Sequence, residues 1–161
     1  MPISVGDKIP DVEVKTLGAD GMPAGVRTSE VLGNGKVVLF AVPGAFTPTC
    51  SKQHLPGFVS GAAALSAKGV DRIACVAMND AWVLDAWARS EGVGEAILML
   101  SDGNGEFTKA MGLEFDGGGY GLGQRSQRYA AVIEDGVVTK LDVESGGGVS
   151  VSACEAVLER L

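Results

Sequence analysis

At 161 residues and 46% hydrophobic content, the chain is long enough to bury a well-filled core as one compact domain without covalent staples. Its net charge of −7 argues against non-specific nucleic-acid binding, which needs basic surface to displace counterions from phosphates. No apolar run approaches the roughly 20 residues that cross a bilayer. The polar, turn-forming start MPISVGDKIPDVEV lacks the apolar centre of a secretory signal, so a soluble, unprocessed, cytoplasmic protein is expected. Three cysteines, Cys50, Cys75 and Cys154, are an odd number and too few for a disulfide scaffold. They imply a reducing compartment in which any thiol chemistry is redox or catalytic.

In chain order, KVVLFAV (36–42) is a continuous apolar, β-branched run, the pattern of a strand covered on both faces. Leu55, Phe58, Val59, Ala62 and Leu65 then recur at helical spacing, predicting a helix from about Cys50 to Ala67 that kinks at Pro56. RIACVAM (72–78) predicts a second buried strand. NDAWVLDAWARSEG (79–92) predicts a helix capped by Asn79 or Asp80 and stopped by Gly92. AILML (96–100) predicts a third strand, with a short helix around Phe107–Met111 after it. RYAAVIEDGVVTKLDV (128–143) reads as two strands joined at Asp135-Gly136. Ser152 and Glu155 have capping-box spacing, opening a last helix through Leu161.

The order βαβαβ, short helix, ββα predicts an α/β fold: a thioredoxin-like sandwich with a central mixed β-sheet flanked by helices. GGGYGLG (117–123) superficially resembles a phosphate loop, but it neither follows a clear strand nor opens a helix. It is read as a surface loop.

The chemistry concentrates in AVPGAFTPTCSKQHLPGF (41–58). Cys50 falls near a helix N-terminus, where unpaired N–H groups and the helix dipole favour an anion. The bland alternative is a small buried hydrophobe, the usual role of an isolated cysteine. Yet a packing cysteine rarely needs Pro43, Gly44, Thr47 and Pro48 ahead of it, and the reactive reading is favoured. A zinc site would need ligands beyond Cys50 and His54. A cysteine hydrolase would need the histidine beside the thiol with an orienting third group. His54, the single histidine, is read instead as packing against the loop or satisfying a hydrogen bond. A thiol–disulfide exchanger needs C-x-x-C, and here the first position is Thr47. A threonine cannot resolve a mixed disulfide, but its hydroxyl can bond a thiolate or a substrate oxygen. The site is suited to one sulfur and an oxygen-containing electrophile.

The segment PGAFTPTCSKQHLPGF closely resembles the active-site segment of the peroxiredoxins of the type II or five-type branch, with Pro43, Thr47 and Cys50 in its P-x-x-x-T-x-x-C pattern. GDKIPDVEV, VAMNDAWVLDAW, LSDGNGEFTKAMGL and RSQRYAAVIEDGVV are similar to that branch too, so the likeness spans nearly the whole chain. The resemblance implies a single thioredoxin-like peroxiredoxin domain over residues 1–161, working without metal or cofactor. It implies that Cys50 attacks a peroxide oxygen and becomes a sulfenic acid. Thr47 would hold the thiolate and the peroxide by hydrogen bonds. Arg128 would favour the thiolate and the charge on the breaking O–O bond. Pro43 would shield the pocket from water. Arg125 is read as a solvated surface charge.

The position matching the resolving cysteine of some animal members is Val151. Cys154 shares a stripe with Val157, Leu158 and Leu161 and is read as a packing residue. Cys75 matches the position where plant and bacterial members often have their second cysteine, but it lies mid-strand, and bridging it to Cys50 would require local unfolding, because a disulfide needs Cα atoms within about 7 Å. An external thiol is therefore expected to resolve the sulfenic acid: glutathione with glutaredoxin, or thioredoxin. The resemblance also suggests a homodimer whose loops, 117–123 included, pack near the site. Neither nucleic acid nor membrane is expected as a partner. A redox sensor built on the same sulfenate is the rival function.

Overall fold

A computed structural model describes residues 2–146 and 148–161. Strands β1 (Glu13–Leu17) and β2 (Pro23–Arg27) form an N-terminal hairpin, followed by the short helix α1 (Thr28–Val31). Next come β3 (Lys36–Ala41), a π-helical turn over Cys50–His54, α2 (Leu55–Ala67) and β4 (Arg72–Ala77). Then follow α3 (Ala81–Ser90), β5 (Leu98–Ser101) and α4 (Glu106–Met111). A small antiparallel arm, β6 (Glu114–Asp116) with β7 (Gln124–Ser126), precedes β8 (Tyr129–Glu134), β9 (Val137–Val143) and α5 (Cys154–Arg160).

Seven strands form one mixed sheet in the order β2-β1-β5-β4-β3-β8-β9. β3, β4 and β5 run parallel, and β8 joins β3 antiparallel. Alternate residues of the central strands supply two cores. Val38, Phe40, Cys75, Ala130 and Val132 pack under α2, α3 and α5 with Phe58, Leu84, Trp87 and Val157. Val37, Leu39, Ala74, Val76 and Ile133 face the other way, against Phe107 and Met111 of α4. Burial on both faces explains the unbroken apolar runs of β3, β4 and β8. The expected thioredoxin-like sandwich is the fold observed.

Several expectations need correction. The helix expected from Cys50 opens instead as the π-helical turn, in which Leu55 N–H donates to the Cys50 carbonyl. Pro56 then falls in the first turn of α2, where its missing donor disrupts least, rather than at a mid-helix kink. Between Asn79 and Asp80, it is Asp80 that caps α3, accepting Val83 N–H at 2.9 Å. Asn79 instead accepts Ala45 N–H at 2.8 Å and so ties β4 to the loop before Cys50. The capping box at Ser152 does not form. Ala153 occupies the cap position of α5 without a side-chain bond, and the Ser152 hydroxyl donates to Glu144. Asp135-Gly136 makes the expected hairpin turn, with both residues at positive φ (50° and 84°). Loop 117–123 connects β6 to β7 and opens no helix beyond one 3-10 turn, Gly118–Tyr120, as a surface-loop reading requires.

Candidate active site

The loop leaving β3 turns sharply before the helix, with Phe46 held at φ 62°, a conformation disfavoured for a side-chain-bearing residue. Pro48 and Thr49 are the first helical residues, and Ser51 N–H donates to the Thr47 carbonyl at 2.9 Å. Cys50 thus lies in the first turn of a helical run through Ala67, as its spacing from the loop suggested. It is fully buried. The neighbouring Ser51 hydroxyl accepts the indole N–H of buried Trp87 at 2.9 Å, pinning this turn to α3.

Arg128 immediately precedes β8 and is 93% buried, its relative exposure being 7%. Its Nη2 donates to Cys50 Sγ at 3.1 Å and its Nη1 to His54 Nδ1 at 3.0 Å. A buried guanidinium aimed at a sulfur favours negative charge there and leaves donors for an oxygen arriving at that sulfur. The sequence brought Cys50 and Arg128 under suspicion from 78 positions apart, and the fold brings their side chains into contact.

His54 is buried and hydrogen-bonded, as expected, and one of its partners is Arg128 itself. Its Nε2 faces the Ser152 carbonyl at 2.9 Å, and a carbonyl can only accept, so Nε2 carries the proton. Nδ1 therefore offers its lone pair to Arg128. Burial, above all, lowers the His54 pKa to about 4 despite the Ser152 carbonyl, and the Arg128 charge lowers it further. The ring is neutral at neutral pH. Phe40 and Phe58 flank it at ring-centre distances of 5.0 and 5.6 Å, fixing its plane. The one signal for this role in the sequence is the four-residue spacing from Cys50, which places both on one helix face.

Thr47 and Pro43 stand at the mouth of the site, in a cleft of about 810 Å3 also lined by Arg128, Phe115, Leu122 and Gln127. The Thr47 hydroxyl donates to the Gly44 carbonyl at 2.7 Å rather than to Cys50. Its proton being committed there, Thr47 presents an oxygen lone pair to the cleft, which suits a peroxide O–H donor. Pro43, Pro48, Phe115 and Leu122 give one part of the lining an apolar character, beside Asp116, Gln127 and Glu144. Arg125 is not the solvated charge expected. It is half-buried and donates to the carbonyls of Leu122 (3.1 Å) and Pro43 (3.4 Å), latching the 117–123 loop to the cleft wall. A second cleft, of about 570 Å3, lies between β1, β5 and α3, with no cysteine or histidine in its lining.

The other two thiols are free and buried. Cys75 pairs with Phe40 across β3–β4, and burial drives its pKa far up. Cys154 packs against the core with Val157, Leu158 and Leu161, as its stripe implied, and burial pushes its thiol up to about 11. Among the described residues, no cluster of histidine, cysteine or carboxylate side chains is arranged to hold a metal ion.

Comparison with known proteins gives the family. The Redoxin family matches residues 4–158. The chain is 52% identical to peroxiredoxin-2E-2, chloroplastic, of Oryza sativa subsp. japonica, over 99% of this chain and 72% of that one. Reduced Prx3 of Vibrio vulnificus, solved in complex with H2O2, superposes with a TM-score of 0.93 at 49% identity, covering 98% of each chain. Peroxiredoxin 5 of Alvinella pompejana superposes at 0.86 with 34% identity, over 98% of this chain and 97% of that one. The chain belongs to the peroxiredoxins, in their type II or five-type branch, and is a thiol-dependent peroxidase.

Proposed function

We propose that Cys50 is the sulfur that attacks the peroxide, with Arg128, Thr47 and Pro43 completing the site, and that an external thiol resolves the product. The observation that carries this reading is the 3.1 Å contact between Arg128 Nη2 and Cys50 Sγ inside a buried pocket. The Cys50 thiolate attacks the terminal oxygen of a peroxide, hydrogen peroxide or an alkyl hydroperoxide. The S–O bond forms as the O–O bond breaks, and the departing oxygen takes a proton to leave as water or alcohol. Arg128 faces the developing charge, Thr47 accepts from the peroxide, and Pro43 limits water at the sulfur.

External resolution is supported by the burial of Cys75 and Cys154, since a thiol with a raised pKa supplies little attacking thiolate. A small thiol reaching the cleft attacks the sulfenic acid, releases water and leaves a mixed disulfide. Glutathione regenerated through glutaredoxin is the favoured donor, and thioredoxin is the alternative. A homodimer is part of the same proposal, with the exposed Tyr120 and Phe46 as side chains that a second copy would cover.

The test is steady-state turnover with glutathione and glutaredoxin, run against thioredoxin, for the wild type and its Cys75→Ser and Cys154→Ser variants. Both variants should turn over as the wild type does, with dimedone trapping one sulfenic acid at Cys50. Loss of turnover in either variant, with sulfenic acid still formed at Cys50, would rule out external resolution.

A further inference from the structure

A second network holds the residues of the site, and it starts from Glu144, which itself lines the cleft. Arg128 and Glu144 sit opposite one another at the end of the β8–β9 hairpin, one step beyond the Tyr129–Val143 pair, and Glu144 N–H donates to the Arg128 carbonyl at 2.9 Å. The Glu144 carboxylate then reaches the segment before α5. It accepts from Ser150 N–H (2.7 Å), the Ser150 hydroxyl (2.9 Å), Ser152 N–H (2.8 Å) and the Ser152 hydroxyl (2.6 Å). The same Val151–Ser152 peptide is held from its other end by Arg160 Nη1, which donates to the Val151 carbonyl at 2.9 Å. With that peptide fixed at both ends, the next carbonyl, that of Ser152, meets His54 Nε2. His54 Nδ1 in turn receives Arg128 Nη1.

We propose that Glu144 is a positioning residue for peroxide reduction, acting through Ser152 and His54 on the guanidinium of Arg128. The contacts close a ring. Arg128 backbone holds Glu144, Glu144 holds Ser152, Ser152 holds His54, and His54 holds the Arg128 side chain that faces Cys50. Each member leaves its neighbour one way to bond. The Ser152 carbonyl can only accept, which fixes the His54 proton on Nε2, and Arg128 can only donate, so it must take the Nδ1 lone pair.

Free of its partners, a long arginine side chain has several rotamers in reach of the cleft. The ring selects the one with Nη2 on the sulfur. The clasp persists across the working range. Partial burial opposes ionisation of Glu144, but the Ser152 and Ser150 hydrogen bonds prevail and hold its carboxyl at about 2. A loop staple would explain the bonds to Ser150. It would not require the clasped peptide to end on the histidine that orients the arginine.

The inference rests on Cys50 and Arg128 being the reacting pair. Its test is the second-order rate of Cys50 oxidation by hydrogen peroxide, followed by rapid mixing, in Glu144→Ala, His54→Leu and the double variant, with folding checked by thermal unfolding. Misplacement of a reacting group by about 1 Å costs up to about 100-fold. Glu144→Ala, which loosens the ring at its far side, is expected to slow oxidation about 10-fold. In the His54→Leu background the same change should cost less than about 2-fold, because the route to Arg128 is already cut.

A folded Glu144→Ala protein reacting within about 2-fold of wild type overturns the proposal, and so do two effects that simply multiply. If Glu144→Ala does not fold, Ser152→Ala decides. It removes one hydroxyl of the clasp, should slow oxidation about 3-fold, and must lose that effect in the His54→Leu background for the proposal to stand. Arg128→Ala is the control for the underlying reading. Unchanged oxidation in that variant defeats the site itself, whereas normal rates confined to the Glu144 variants defeat only the ring.

Discussion

Replacing Arg128 by lysine separates the two things the guanidinium provides. Lysine keeps the positive charge but has one nitrogen in place of a planar fork. Arg128 uses two nitrogens at once, Nη2 on Cys50 Sγ at 3.1 Å and Nη1 on His54 Nδ1 at 3.0 Å. A single ammonium on a shorter, freely rotating stem cannot hold both. A hydrogen bond to a charged group contributes about 1.5–3 kcal/mol, and about 1.4 kcal/mol is tenfold in rate. Loss of one such contact at the moment of O–O cleavage therefore slows oxidation about 10- to 150-fold. Arg128→Ala loses the charge as well and should be slower again. The assay is rapid mixing of the reduced protein with excess hydrogen peroxide, with thiol loss at Cys50 read over time. A folded Arg128→Lys protein within about 2-fold of wild type would show that charge alone suffices, refuting the argument from the fork.

Two further outcomes follow from contacts away from the sulfur. A Cβ at Gly61 would run into Cys154 Sγ, so Gly61→Ala should lower stability by about 1–3 kcal/mol through overpacking, and pairing it with Cys154→Ala should recover most of that loss. Chemical denaturation of the three variants reads this, and equal losses in the single and double variants would contradict it. His54 stays neutral when folded down to about pH 4, whereas in the unfolded chain it takes a proton near 6.5. Between those values the unfolded state binds the extra proton, so stability falls as pH drops from about 6.5 to about 4, by about 3 kcal/mol in all. Stability measured against pH should lose that slope in His54→Leu, and an unchanged slope would mean another group is responsible.

Much of the fold could be read from the chain because the central strands are buried on both faces. Within KVVLFAV and RIACVAM, residues 37–42 and 73–77 are apolar and buried at every position. The β1–β2 hairpin was missed for the converse reason. It lies at the sheet edge, with only Val14 of β1 buried and a proline and a glycine within β2. The β6–β7 arm is three residues on each side, too short for a periodic signal. Cys50, Thr47 and Pro43 could be singled out because they sit within one short segment, and Arg128 through the family pattern around it.

What sequence could not show is how the site is held. His54 bonds a carbonyl 98 positions away, and Ser152 has the spacing of a helix cap yet gives its hydroxyl to Glu144. Local spacing records local competition for hydrogen bonds. It has no trace of a carboxylate that arrives from another strand and wins. The π-helical turn at Cys50–His54 is also invisible to local pattern: Arg128, 74 and 78 positions away, donates to both side chains, and helical periodicity has no record of the wider turn.

In the proposed reaction, peroxide is cleaved at Cys50 under the guanidinium of Arg128. The most direct test is rapid mixing of the fully reduced protein with one equivalent of hydrogen peroxide, quenched into intact-mass and peptide analysis. The account predicts rapid gain of one oxygen, located on Cys50, far faster than the reaction of free cysteine and absent in Cys50→Ser. Oxidation no faster than that of free cysteine, or oxygen appearing first on Cys75 or Cys154, would contradict it.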